Sequence, residues 1–137
     1  PVRPPLVILV AISTLQPVAL NILAPATPAL ARSLATDYAT IQLTLSLYLL
    51  AVALTQLAVG PISDRVGRRP CIVAGAALFL AGSLMGVWAQ SVPALLAARI
   101  VQGAGGGTCF ALARAAVRDT ADRNESASLI GYITMAM

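Results

Sequence analysis

The sequence has no histidine and no lysine, and only 10% of its 137 residues are charged. A soluble domain of this size carries about a quarter charged residues, because its surface must stay wet. So small a share excludes an ordinary soluble globular domain and points to lipid as the solvent for much of the chain. The missing histidine removes a common proton carrier and metal ligand. The two cysteines, Cys71 and Cys109, lie in or beside apolar runs and suit neither a disulfide nor a metal site. There is no nucleophile–base pair, metal cluster or nucleotide motif. The run Gly105-Gly106-Gly107 lacks the Lys-Ser/Thr ending and the preceding strand of a phosphate loop. No enzyme activity, bound cofactor or metal is expected. The net charge of +4 comes from arginine and is set in short clusters between apolar runs. That pattern reads as membrane orientation rather than nucleic-acid binding.

The sequence is rich in long uncharged stretches. A bilayer crossing takes about 20 apolar residues. Between Arg3 and Arg32 no charge occurs, so a first span is expected over 6–31. A cleaved signal peptide is the competing reading, but the run is too long and contains Pro25 and Pro28. A second span is expected over 40–62, followed by a charged loop, Asp64–Pro70. The next uncharged stretch is too long for one crossing and breaks at Gln90–Pro93, because proline suits the first turn of a helix. That places a third span over 71–89 and a fourth over 93–117, with a fifth beginning over 127–137 and cut short. Both chain ends look cut. With this division Arg3, Arg65, Arg68, Arg69, Arg114, Arg118 and Arg123 share one side and only Arg32 lies on the other. Positive residues favour the cytoplasmic side, so the N-terminus is expected there. Arg118–Glu125 mixes signs and reads as a turn on that side. The whole is one all-α bundle rather than several domains.

The sharpest feature is Gly60-Pro61-Ile62-Ser63-Asp64-Arg65-Val66-Gly67-Arg68-Arg69-Pro70. Gly60 is expected to end the second helix near its neighbours, and Gly67 to permit a tight reversal. Asp64 is expected near the start of the third helix, where the helix dipole favours an anion. Arg65, Arg68 and Arg69 can reach lipid headgroups or carboxylates across a helix gap. A basic turn serving topology alone would need only the arginines.

Arg99 is a second candidate. An arginine within a span costs about 2.5–3.5 kcal/mol on insertion scales. At roughly 1.5 Å per residue it lies about 9 Å below the start of its helix. It should therefore face the bundle interior or a water-filled cavity, with Gln102, Gly103, Gly106 and Phe110 on the same face; snorkelling to the interface is the bland alternative. None of the five acids, Asp37, Asp64, Asp119, Asp122 and Glu125, lies in a span. Asn21, in the outer half of the first span, is then a candidate partner for Arg99, and Tyr48 is a polar residue of the second span. The spacings Gly82-x-x-x-Gly86 and Gly103-x-x-x-Gly107 suit close helix packing.

The segment Gly60–Pro70 resembles the signature loop of the major facilitator superfamily. Leu96-x-x-Arg99-x-x-Gln102-Gly103 is similar to the arginine-bearing helix of the same superfamily. Ala113-Arg114-Ala115-Ala116-Val117-Arg118-Asp119, with Tyr48, Gln56-Leu57 and Gly60-Pro61, resembles the bicyclomycin/chloramphenicol-resistance (Bcr/CflA) branch of drug/proton antiporters. The resemblance implies two six-helix halves that rock about a central site, this chain supplying most of the first. It implies that Asp64 docks on the other half as a conformational latch, with Arg65, Arg68 and Arg69 as charge partners. In that branch an aspartate is usual where Asn21 stands, in Asn21-Ile22-Leu23-Ala24-Pro25, which opens the question of where protons couple.

The expected function is proton-coupled efflux of drug-like or amphipathic small molecules from a bacterial inner (plasma) membrane. The expected partners are a small-molecule substrate, the lipid bilayer and the C-terminal half of the same protein, with no nucleic acid. An uptake or exchange permease for an anionic or zwitterionic solute is the first alternative; a non-transporting sensor or scaffold on the same fold is the second. Orientation is directly testable. A tag fused to the N-terminus should be inaccessible to protease and antibody in intact cells and become accessible on lysis; labelling of intact cells would reverse the topology.

Overall fold

The computed structural model describes residues 6–22 and 24–120, together with 130, 131, 134 and 135. Among them every long element is helical: α1 (Leu6–Asn21), α2 (Thr27–Ser33), α3 (Tyr38–Val66), α4 (Arg68–Val87) and α5 (Val92–Thr120). The chain is an all-α bundle of this class. Arg3, Asp122, Arg123, Glu125 and most of the expected fifth span lie outside the described residues.

The stretch 6–31 is not one helix. α1 stops at Asn21, and a short turn leads into α2. Pro25 carries no backbone N–H and biases the residue before it away from helical backbone. Pro28 sits in the first turn of α2, where its missing N–H would have no partner in any case. With 16 residues, α1 extends about 24 Å at about 1.5 Å per residue.

α3 begins at an Asp37 cap, whose carboxylate accepts from the Thr40 backbone N–H at 3.1 Å and from the Thr40 hydroxyl. These bonds, the hydroxyl's first, hold the Asp37 carboxyl below its ordinary range. The helix then runs 29 residues, through Gly60 and Pro61, to Val66. Gly67 alone separates it from α4, at φ 103° and ψ 153°, a region open essentially only to glycine. The segment Gly60–Pro70 is therefore two helix ends meeting at one residue, not a loop. Two expectations change with it. Gly60 does not end the helix, and a Cβ there would meet nothing within 4 Å. Asp64 lies in the last turn of α3 rather than at the start of α4, so the exposed carbonyls there oppose its charge.

α4 ends at Val87, and α5 starts at Val92 with Pro93 in its first turn; the Ser91 hydroxyl accepts the Ala94 N–H at 3.4 Å. α5 continues to Thr120, so Arg118 and Asp119 are helical and not in a turn. Among the described residues, α3, α4 and α5 are the three helices long and apolar enough to cross a membrane.

α5 is the hub, packed on α4, α3 and α1. Its inner face is buried in two clusters, Ala113 and Val117 with Leu9 and Leu112 with Val59 and Cys71, while a further cluster, Tyr48 with Ala19 and Val52, joins α3 to α1. α3 and α4 turn Leu50, Leu54, Leu57, Val73 and Leu80 outward, which is stable only against lipid or further helices. Missing side chains make the close crossings. A Cβ on Gly82 would lie 2.7 Å from Gln102 Cα, one on Gly105 2.7 Å from Phe79 Cα, and one on Gly75 2.7 Å from Thr108 Cγ2. Gly103 lies against the Tyr48 carbonyl and Gly107 against that of Val52, with Cβ positions 2.6 and 3.0 Å away. Gly86 is in ordinary contact, 3.9 Å from Ala98 Cβ, so the tight partner of Gly82 along α4 is Gly75, two turns earlier. The prediction is asymmetric. In the full-length protein Gly105→Ala should destabilise by about 1–3 kcal/mol through overpacking. Gly60→Ala should be neutral or stabilise by up to about 1 kcal/mol through helix propensity. Thermal unfolding in detergent measures both; equal melting temperatures would refute the glycine seam.

Candidate functional site

Arg99 is 5% exposed and sits where all four long helices meet. Its Nη2 donates to the Ala19 carbonyl of α1 at 3.1 Å, and its Nη1 donates to Gln102 Oε1. The guanidinium lies over the Tyr48 ring of α3, 4.4 Å from the centroid. Gln102 Nε2 in turn donates to Ser83 Oγ of α4 at 3.0 Å, and that hydroxyl donates to the Phe79 carbonyl at 2.8 Å. The Tyr48 hydroxyl donates to the Gln16 carbonyl at 3.2 Å.

The break in α1 helps build this site. A helix leaves the carbonyls of its last turn without intrahelical donors, and that end carries partial negative charge. Ala19 belongs to that last turn, so a buried cation finds a ready acceptor there. Gly103, against the Tyr48 backbone, and Gly106, whose Cβ would lie 3.2 Å from the Tyr48 hydroxyl, let the ring approach α5. A cavity of about 400 Å³ adjoins Arg99, Gln102, Ser83 and Phe79. Among the described residues every acceptor of the guanidinium is neutral, and its Nε, like Gln16 Oε1, is buried without a hydrogen-bond partner.

Tyr48, Arg99 and Gln102 are thus brought together, and Asn21 is not. Its amide donates to Pro17 O of its own helix at 2.9 Å. An amide one turn beyond Pro17 reaches that carbonyl more readily than it reaches across the bundle. Phe110 lies further along α5, beside Arg114, whose guanidinium carbon is 5.4 Å from the ring centroid.

A second cluster forms where α3, α4 and α5 present charge. Arg68 Nε donates to Asp119 Oδ2 at 2.5 Å, and Arg68 Nη2 lies 3.8 Å from Asp64 Oδ1. Arg68 so ties the start of α4 to the end of α5 and loosely to the end of α3. The carboxylate of Asp64 is 71% exposed, and Arg65 and Arg69 are exposed without an ion pair among the described residues. A partly exposed pair such as Arg68–Asp119 is worth about 0–1 kcal/mol, so it sets geometry more than stability. Sequence reasoning missed three participants. The Ala19 carbonyl was signalled only by Pro25 ending α1. Ser83 stood beside Gly82 without a partner in view. Asp119 was read into a turn, although Arg118-Asp119 continues the helical run from Ala113.

Long apolar helices with apolar outer faces around a guanidinium define a multi-pass helical membrane protein. Within that class, the sequence profile of the Major Facilitator Superfamily matches residues 9–137, and the chain belongs to that family. Multidrug resistance protein MdtL of Vibrio parahaemolyticus is 34% identical over 123 residues, 90% of this chain and 31% of that protein. Multidrug resistance protein D of Escherichia coli is 39% identical over 120 residues, 88% of this chain and 30% of that protein. The Chloramphenicol resistance protein of Pseudomonas aeruginosa is 38% identical over 110 residues, 80% of this chain and 26% of that protein. The chain spans about 30% of the length of these relatives. No solved structure matches it.

The Arg99 cluster makes a graded prediction for the full-length protein. Tyr48→Phe keeps the ring and should cost about 1 kcal/mol, one net hydrogen bond. Tyr48→Leu also removes a desolvated cation–π contact, adding about 2 kcal/mol. Thermal unfolding in detergent should rank them in that order; equal losses would show that the ring does not hold the guanidinium.

Proposed function

We propose that this chain is the N-terminal part of a proton-coupled efflux transporter of the bicyclomycin/chloramphenicol-resistance branch, placed in a bacterial inner membrane with its N-terminus cytoplasmic. The names of its relatives, two multidrug resistance proteins and a chloramphenicol resistance protein, support drug-like or amphipathic substrates. The observation that carries the reading is the buried Arg99, held among the described residues by neutral acceptors alone, with its Nε–H unpartnered. A charge in a low-dielectric bundle is felt far more strongly than in water. A carboxylate or substrate group that meets Arg99 in one state and not in the other gives those states different energies, as ligand-driven alternation requires. The Arg68 cluster supports the second element. Asp64 is exposed and loosely paired, so its carboxylate is free to dock on the C-terminal half as a latch.

Asn21 favours a second reading. With an amide where the branch usually has an aspartate, Arg99 suits an anionic or zwitterionic solute carried by uptake or exchange. The two readings separate in one experiment. The full-length protein is expressed in bacteria stripped of their own efflux pumps, and growth in chloramphenicol and dye efflux are measured. Wild type should raise resistance and should lose efflux when a protonophore collapses the gradient. Arg99→Gln and Asp64→Asn should both return resistance to the empty-vector level with membrane abundance unchanged. Resistance untouched by Arg99→Gln refutes the role of Arg99; accumulation of a labelled organic anion without resistance selects the permease.

A further inference from the structure

We propose that the pocket between Gln56, Arg114 and Arg118 binds a phosphate group carried by an anionic molecule. The cavity has a volume of about 310 Å³ and is lined by Gln56 of α3, by Phe110, Ala111, Arg114 and Arg118 of α5, and by Ile130. It is separate from the Arg99 site. It opens at the end of the bundle that carries Arg65, Arg68 and Arg69. Arg114 and Arg118 stand one helical turn apart, which puts their Cβ atoms about 5–6 Å apart on one face of α5.

Charge makes the pocket a receptor for an anion. Among the described residues, Arg68 takes both acids at this end, Asp119 and Asp64. Among the described residues no carboxylate pairs with Arg114 or Arg118. Two like charges one turn apart repel, and an anion between them removes the repulsion. The Phe110 ring holds the Arg114 guanidinium 5.4 Å from its centroid, so less side-chain freedom is lost on binding. A neighbouring cavity of about 220 Å³ shares Gln56, Ala111 and Arg118 and reaches Arg68 with its acid Asp64, so the positive field of the groove rests on Arg114 and Arg118.

The shape of the donors selects among anions. One guanidinium fork satisfies a carboxylate. A phosphate has oxygens enough for two forks and an amide, and here the donors are Arg114, Arg118 and the Gln56 side chain. Phe110, Ala111 and Ile130 supply an apolar wall for whatever carries the phosphate. A lipid headgroup and a soluble phosphate ester share this chemistry. The inference does not depend on the direction or substrate of transport.

The test uses the purified full-length protein, delipidated in detergent and examined by native mass spectrometry with three probes: phosphatidylglycerol, glycerol 3-phosphate and diacylglycerol. Phosphatidylglycerol should be retained in preference to diacylglycerol. Its affinity should fall about tenfold or more, about 1.4 kcal/mol, in the double variant Arg114→Gln/Arg118→Gln. Arg69→Gln, which removes a charge at the same end, should bind like wild type. Competition by glycerol 3-phosphate identifies a phosphate-ester site; its absence, with phosphatidylglycerol retained, identifies a lipid headgroup site. Equal retention of diacylglycerol, undiminished binding in the double variant, an equal loss in Arg69→Gln, or no binding of either phosphate probe overturns the proposal. Should the double variant fail to fold, the preference of wild type for phosphatidylglycerol over diacylglycerol decides alone.

Discussion

A guanidinium is costly to take into an apolar bundle unless the protein supplies partners for it there, and Arg99 draws on four helices for them. α1 supplies a carbonyl, α5 an amide, α3 an aromatic face, and α4 joins through Ser83 bonded to that same amide. Desolvating the cation is costly, so these contacts work as a set: remove one and the charge is left buried with fewer partners. The three long helices packed on α5 converge on this cluster. The glycines act in its service. Gly82 lets α4 come close enough for Ser83 to reach Gln102, and Gly103 lets Tyr48 come close enough to cover the guanidinium.

α5 carries more than this cluster. From Val92 to Thr120 it is one continuous helix, with Arg99 in its first half and Arg114, Arg118 and Asp119 near its end. Asp119 is joined to Arg68, and Arg68 to Asp64, so the joint at Gly67 is braced against the same helix that holds the buried cation. A single rigid element thus links the interior site to the charged end. In the proposed transporter, tilting α5 moves both together, and the weak, exposed ion pairs are of a strength that can be exchanged for contacts with another part of the protein.

Much of this was legible in the sequence, residue by residue. The shortage of charge and the uncharged runs implied an all-α membrane bundle. The price of an arginine inside a span required Arg99 to face protein, and helical spacing put Gln102 beside it. Other assignments needed the third dimension. Asn21 was expected near Arg99 because both are polar and lie in outer halves of spans, yet its own helix offered the nearer acceptor at Pro17. Asp64 was expected at the start of a helix, yet α3 absorbed Gly60 and Pro61 and carried Asp64 in its last turn. Gly86 was paired with Gly82 on a four-residue spacing, whereas the seam against α5 runs from Gly82 to Gly75.

The sequence by itself determined the solvent of this chain, its helical class and its family signature, because hydropathy, charge placement and local motifs are properties of contiguous residues. It also determined that one cation must be buried. Only the tertiary structure decided what holds that cation. Its partners, Ala19, Tyr48, Gln102 and, through Gln102, Ser83, come from four separate helices. One of them is a backbone carbonyl, made available by a helix end and carrying no mark in its side chain. The same holds for Arg68 and Asp119, which are 51 positions apart. Such pairings depend on how helices cross, and crossing is settled by packing between surfaces that no linear pattern brings together.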